Sequence, residues 1–282
     1  MSTYLAPAKL NLSLHIHPPR GDGYHALESL VQTVEWCDRL EVSAGEEGAD
    51  TYESDFEDDI VQRALAELRR SHDVPPLALS LVKEIPVAAG LGGGSSDAAA
   101  ALVAGAEFGR IARDRLAAVA SDVGADVPLF LTGGTLMMSG IGEELEPLEP
   151  LDDFAVAIVT PHFGLETTAV YRRWDQMEGP TGSPLADARL PPSLRGGMPM
   201  RNDLFPAAVV LEPRLGDFIA DIATVWGTSV SMTGSGSACF GYFATHDEAV
   251  DAAEAVADLV GEARGVRLRP VGVTRLDDRV DD

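Results

Sequence analysis

The segment Pro86-Val87-Ala88-Ala89-Gly90-Leu91-Gly92-Gly93-Gly94-Ser95-Ser96 has the chemistry of an anion cradle. Glycines fill four of the five positions from Gly90 to Gly94, two hydroxyls follow, and an alanine-rich helix former runs on through Ala101. Backbone without Cβ atoms can bring its N–H groups close to an anion. A helix starting near Ser95 or Ser96 adds unpaired N–H groups and the positive end of its dipole. Phosphate is the anion such a site takes. No lysine follows the glycines, so this is not a Walker-type loop, and the spacing is not the Gly-x-Gly-x-x-Gly dinucleotide fingerprint. A plain strand-to-helix turn needs one or two glycines, not four.

Four further clusters could join that chemistry. Lys9 and Lys83 are the only lysines, against nineteen arginines. A lysine offers a compact point charge where arginine offers a flat fork. Both lysines therefore invite a reason, against chance survival, which weighs more for Lys83 than for Lys9. Gly21-Asp22-Gly23-Tyr24-His25 places an aromatic ring and an imidazole after a turn, which suits a planar base. In Gly124-Ala125-Asp126-Val127-Pro128, Asp126 is either the N-cap of a helix with Pro128 just inside it or a base toward a hydroxyl. Thr233-Gly234-Ser235-Gly236-Ser237 is a second Gly/Ser loop, able to form another wall of one phosphate site.

Several elements must position these groups. Residues 8 to 17 alternate, with Ala8, Leu10, Leu12, Leu14 and Ile16 on one face and Lys9, Asn11, Ser13, His15 and His17 on the other. Period two predicts one half-buried strand with Lys9 beside Asn11 on its polar face. Strands are also expected at 30–34, 40–43, 77–82, 135–138, 154–160, 239–243 and 266–273. Asp58 or Asp59 is placed to cap a helix through Arg70. Further helices are expected from the glycine loop to Phe108 and over 114–123, 203–211, 215–226 and 247–260. The Gly- and Pro-dense stretch from Glu178 to Asn202 reads as a mobile loop or a lid. Strands and helices mix without a βαβ repeat, which predicts an α+β chain in two lobes, 1–150 and 151–282.

The formal net charge of −24 disfavours nucleic acid or an anionic membrane as partner. Acidic tracts such as Glu46-Glu47, Asp55–Asp59 and Asp277–Asp282 read as solvated surface and tail. A phosphate site must then be locally positive, supplied by helix ends, a few cations and a divalent metal. No apolar run is long enough to span a bilayer, and Met1 to Tyr4 lacks a signal-peptide pattern. Two distant cysteines, Cys37 and Cys239, form neither a disulfide framework nor a metal spacing. A reduced, cytoplasmic protein is the expectation.

Three ordered segments resemble the motifs of the GHMP small-molecule kinase superfamily: Pro7-Ala8-Lys9-Leu10-Asn11-Leu12, Pro86 to Ala99, and Thr233-Gly234-Ser235-Gly236. The Gly21 to His25 and Gly124 to Pro128 segments, with Ile141-Gly142-Glu143, narrow the resemblance to the branch acting on a cytidine-diphosphate-linked tetritol. It runs from about Leu5 to about Val273.

The resemblance implies an S5-like N-terminal lobe, a ferredoxin-like C-terminal lobe and a site between them. It implies transfer of the γ-phosphoryl group of ATP, with Mg²⁺, to the tertiary 2-hydroxyl of 4-diphosphocytidyl-2-C-methyl-D-erythritol in the non-mevalonate isoprenoid route. By the same resemblance Lys9 and Asp126 are catalytic and residues 86–96 bind ATP. Substrate falls to Asn11, Tyr24, His25, Tyr171, Thr233, Gly234, Ser235 and Gly236. Tyr171 stands where a phenylalanine is expected, and the 178–200 stretch departs from a compact member. Metal ligands and oligomeric state are not readable. Homoserine, mevalonate or a sugar would be rival acceptors, and the Tyr24-His25 loop argues for cytidine. A diphosphomevalonate decarboxylase would share the fold but release CO₂. A silent nucleotide-binding module would not need both Lys9 and Asp126.

Overall fold

The computed structural model describes residues 1–19, 21, 25–46, 48–54 and 60–276. The first lobe holds β1 (Ser2–Asn11), β2 (His15–Pro19), β3 (His25–Ala44), β4 (Thr51–Glu53), α1 (Ile60–Ser71), β5 (Leu77–Val82), α2 (Gly93–Gly109), α3 (Leu116–Val123), α4 (Val127–Thr132), β6 (Thr135–Ser139) and β7 (Glu144–Pro147). The second holds β8 (Ala155–Thr160), α5 (Thr167–Gln176), α6 (Phe205–Leu211), α7 (Arg214–Trp226), β9 (Val230–Met232), β10 (Cys239–Phe243), α8 (His246–Glu254) and β11 (Glu262–Arg267). A last strand, β12 (Thr274–Arg275), returns to the first lobe and pairs with β1.

The fold is the expected α+β arrangement in two lobes. Its larger sheet runs β12-β1-β3-β5-β4, with β2 and β6 also on β3 and β7 on β6. The second sheet is antiparallel in the order β11-β8-β10-β9. With α5 to α7 between β8 and β9, and α8 between β10 and β11, that order is ferredoxin-like. We propose 1–150 and 151–282 as the domains, with β12 handed back to the first.

Helix α2 is the axis of the first lobe. Every residue from Ser96 to Ala106 is buried, as expected of a helix apolar on all sides. Helix α1 presents Val61, Ala64, Leu65 and Leu68 to it, and a side chain at Gly105 would strike Leu65 and Leu68 at 2.9 Å. The predicted caps Asp58 and Asp59 lie outside the described residues.

The structure corrects several expectations, among them a strand expected over 266–273 that instead runs over Glu262–Arg267. The single strand over 8–17 is two, because Leu12 N and Ser13 N both donate to Leu30 O and break the ladder. Its polar face is buried at Lys9, Asn11, Ser13 and His15, and only His17 is exposed. Helix α2 starts at Gly93, before either serine, because Gly92 turns the chain at φ 74°.

The stretch after Glu178 is neither a free loop nor a lid. It lacks long regular elements, with single 3-10 turns at Asp187–Arg189 and Pro192–Leu194. It is nevertheless a fixed strap. Leu14 N donates to Arg201 O at 2.8 Å and Asp203 N to Leu14 O at 2.9 Å. The His15 ring donates through Nε2 to Pro199 O at 2.8 Å. Leu190, Leu194 and Met200 are buried in a core with Ala8, Leu10 and Trp36 of the first sheet and Val156, Ile158 and Phe240 of the second. No helix among the described residues is long and apolar enough to cross a membrane.

Candidate active site

The two lobes enclose a cavity of about 550 Å³. One wall is the glycine loop, every residue from Pro86 to Ser95. Local sequence explains its path. Gly90 and Gly92 have φ of 81° and 74°, a region costly to side chains, and Ala88 adopts it too at 57°. The loop is fastened at both sides: Lys9 N donates to Leu91 O at 2.9 Å and Ala238 N to Ala89 O at 3.0 Å. Helix α2 leaves directly from it, so its first-turn N–H groups and positive dipole end face the cavity. Ser96 does not line the cavity; it is wholly buried and its Oγ has no hydrogen-bond partner.

Lys9 and Asn11 reach the cavity from β1. Lys9 Nζ donates to Asn11 Oδ1 at 2.6 Å. Asn11 in turn donates through Nδ2 to Ser29 Oγ at 2.7 Å and through its backbone N to Thr233 Oγ1 at 2.8 Å. The Asn11 amide is thus spent on holding Lys9 in place. Burial pushes the Lys9 ammonium below its usual range, and the charge of Asp126 works against that shift.

Asp126 stands at the N-cap position of α4 but its side chain caps nothing. It lines the cavity, half-buried. Among the described residues no ion pair joins it to Lys9, so the two interact across space. Tyr171, on α5, lines the same cavity. Burial first and Asp126 second push its phenol up to about 12, so its hydroxyl stays neutral.

The second Gly/Ser loop closes the far side with Gly234 and Ser235. Thr233 sits behind, accepting from Asn11. Gly236 is also behind, where a Cβ would strike Met232 Sδ at 2.8 Å. Ser235 Oγ shares a 2.8 Å hydrogen bond with Thr167 Oγ1 at the start of α5. Tyr24 lies outside the described residues. His25 is not on the cavity wall. Its ring stacks on Tyr171 at 5.9 Å and meets Trp174 edge-on at 5.1 Å. Its Nδ1 donates to His17 O at 3.1 Å and its Nε2 pairs with Asp175 Oδ1 at 3.0 Å.

The cavity also takes in Lys83, which the sequence flagged but gave no role, and Asp97 and Thr167, which it did not single out. The rarity of lysine was the available signal for Lys83. Asp97, one turn into α2, and Thr167, the first residue of α5, stand beside the two loops, and position alone marked them. Among the described residues no cluster of three or more His, Cys, Asp or Glu forms a metal cage.

Comparison with known proteins agrees with this layout. Residues 59–134 match the family model for the GHMP kinases N-terminal domain, and residues 192–261 that for the GHMP kinases C-terminal domain. The chain is 37% identical over 274 residues to the 4-diphosphocytidyl-2-C-methyl-D-erythritol kinase of Chelativorans sp. (strain BNC1), covering 89% of this chain and 90% of that one. Identity to the Sinorhizobium medicae (strain WSM419) protein of the same name is 37% over 279 residues, 90% of each. A crystal structure of 4-(cytidine 5'-diphospho)-2C-methyl-D-erythritol kinase superposes with a TM-score of 0.79 at 34% identity, over 94% of this chain and 98% of that one. A homoserine kinase from Cytophaga hutchinsonii, 17% identical at a TM-score of 0.70 over 98% of this chain and 97% of that one, shares the fold alone. The chain is an enzyme of the GHMP kinases and belongs, within them, to the 4-diphosphocytidyl-2-C-methyl-D-erythritol kinase family.

Proposed function

We infer that this chain transfers the γ-phosphoryl group of ATP to the tertiary 2-hydroxyl of 4-diphosphocytidyl-2-C-methyl-D-erythritol. The observation that carries the reading is Asp126: a carboxylate at a helix start that caps nothing and opens on a cavity walled by a glycine loop. The loop and the first turn of α2 hold the triphosphate. Mg²⁺ would be held mainly by the phosphates of the bound ATP and would supply neutralising charge there.

Phosphoryl transfer asks the protein for alignment and charge more than for covalent chemistry. Asp126 takes the hydroxyl proton as the acceptor oxygen bonds to the γ-phosphorus. The bond from that phosphorus to the β–γ bridging oxygen breaks, and ADP leaves. Lys9, held by Asn11, puts a compact positive charge beside the transferring group, across the cavity from Asp126. Tyr171, backed by the His25 ring and together with Tyr24, takes the cytosine end. The direct test is ADP release with 4-diphosphocytidyl-2-C-methylerythritol beside mevalonate, homoserine and galactose. Turnover on the first alone is expected; preference for another acceptor would overturn the assignment.

A further inference from the structure

Beneath the glycine loop, apart from the transfer chemistry, lies a buried charge cluster of Asp38, Lys83 and Asp97. Asp38 sits on β3 and is fully buried. Its Oδ1 accepts from Glu84 N at 2.5 Å and Ile85 N at 2.8 Å, the residues leading from β5 into the loop. Its Oδ2 accepts from Lys83 Nζ, which also donates to Asp97 Oδ2 at 2.6 Å on α2. A Cβ at Gly93, the first residue of α2, would lie 3.2 Å from Lys83 Nζ and 3.3 Å from Asp38 Oδ2. The cluster therefore grips the chain on both sides of the loop and presses on the backbone between.

Its charges do not balance if both carboxylates are ionised. Burial works against the Lys83 charge, but Asp97 and Asp38 outweigh it and hold the ammonium above its usual range. Asp97 carries the excess. Burial first and the Asp38 charge second push its carboxyl well above the usual carboxylate range, against the pull of Lys83. Asp97 Oδ1 is buried without a hydrogen-bond partner, a setting that penalises an anion far more than a neutral acid.

We propose that Asp38, Lys83 and Asp97 are positioning residues for the nucleotide, fixing the span between the strand before the glycine loop and the helix after it. The proposal rests on the reading that this loop takes ATP. With Asp97 neutral, one ammonium balances one carboxylate beneath the phosphates. Once Asp97 loses its proton, the cluster turns net negative under an anionic ligand. The charged groups facing Asp97 are Asp38 from β3 and Lys83 from the end of β5. Nucleotide affinity is therefore flat near neutrality and falls on the alkaline side.

The test is calorimetric titration of the full chain with ATP, without acceptor, and then steady-state kinetics, on wild type, Lys83→Met and Asp97→Asn. Circular dichroism checks each fold. Lys83→Met is expected to weaken ATP about tenfold or more, with the acceptor KM within about twofold of wild type. Asp97→Asn keeps an acceptor for Lys83 but cannot ionise. It should lose the fall in affinity that wild type shows between about pH 7 and about pH 9, a fall of up to about tenfold per pH unit. A folded Lys83→Met with wild-type ATP affinity overturns the proposal. So does an Asp97→Asn profile that tracks wild type across pH, and this variant decides alone if Lys83→Met does not fold. Wild type that binds no ATP overturns the functional reading, and the proposal with it.

Discussion

The two lysines of this chain stand against the same loop and are held in opposite ways. Among the described residues the Lys9 ammonium has one hydrogen-bonded partner, a neutral amide, and a carboxylate across the cavity. Lys83 is clamped between two buried aspartates. Burial wins at Lys9 and lowers its pKa, while the carboxylates win at Lys83 and raise it. A cation left partly unsatisfied is free to respond to charge arriving on a ligand. One fully paired inside the protein is a tie. The difference separates a charge used in transfer from a charge used in construction, and four sets of variants can break or sharpen it.

The largest effect is expected at the carboxylate facing Lys9. Asp126→Asn should cut kcat by about 10²–10⁴-fold, as loss of a general base does, with ATP binding intact. A kcat within a few-fold of wild type would leave Lys9 with no partner in chemistry.

Next come Lys9→Ala and Lys9→Arg. Arg keeps the charge but spreads it over a longer planar group. Small misplacements at a transferring group cost about 10²-fold, so both variants should lose about that much in kcat with the fold preserved. Near-normal turnover in Lys9→Arg would reduce Lys9 to background charge and erase the contrast with Lys83.

Tyr171→Ala tests the other end of the cavity. Stacking on an aromatic face contributes roughly 1–3 kcal/mol per base. The acceptor KM should rise by about one to two decades while the KM for ATP holds. A rise for ATP instead would place the two ligands the other way round.

Two adjacent glycines offer the finest comparison. A Cβ at Gly92 would lie 2.7 Å from Phe130 Cζ and 3.1 Å from Lys9 Cγ, at a positive φ. A Cβ at Gly93 meets Ile85 at 3.1 Å and Lys83 Nζ at 3.2 Å, without that strain. Left-handed backbone costs a side chain roughly 1–2 kcal/mol. Gly92→Ala should therefore lower kcat about tenfold, and Gly93→Ala should raise the KM for ATP by a smaller factor. Identical kinetic signatures from the two would show that the lysines are not doing separate jobs.

What could be read from the sequence was local. The glycine loop, the alternation around Lys9 and the Gly-Ala-Asp-Val-Pro turn each lie within one short segment, and the two-lobed fold followed from their order. Asp126 could not be settled that way, because a cap and a base stand at the same helix start; only its unengaged carboxylate separates them. Lys83 was unreadable for a different reason. Its partners stand 45 and 14 residues away, and no periodicity links them. Period two likewise could not tell a solvated polar face from one buried by another part of the chain, as at Asn11 and Ser13. In the strap, Gly and Pro density announced the lack of long elements but said nothing of burial. Leu190, Leu194 and Met200 were the signal that it is anchored.

That strap gives the two lobes a shared fate. Its three buried apolar side chains, Leu190, Leu194 and Met200, fill a core to which both sheets contribute, so neither sheet can be lifted away without exposing the other. Heat or denaturant should meet one cooperative unit, seen as coincident loss of signal from Trp36 in the first lobe and Trp226 in the second. Residues 1–150 or 151–282 expressed alone would each present an open apolar flank to water and aggregate, although each carries a sheet of its own. The cavity lies along that common seam, and its two walls keep their register because separating them means unfolding both.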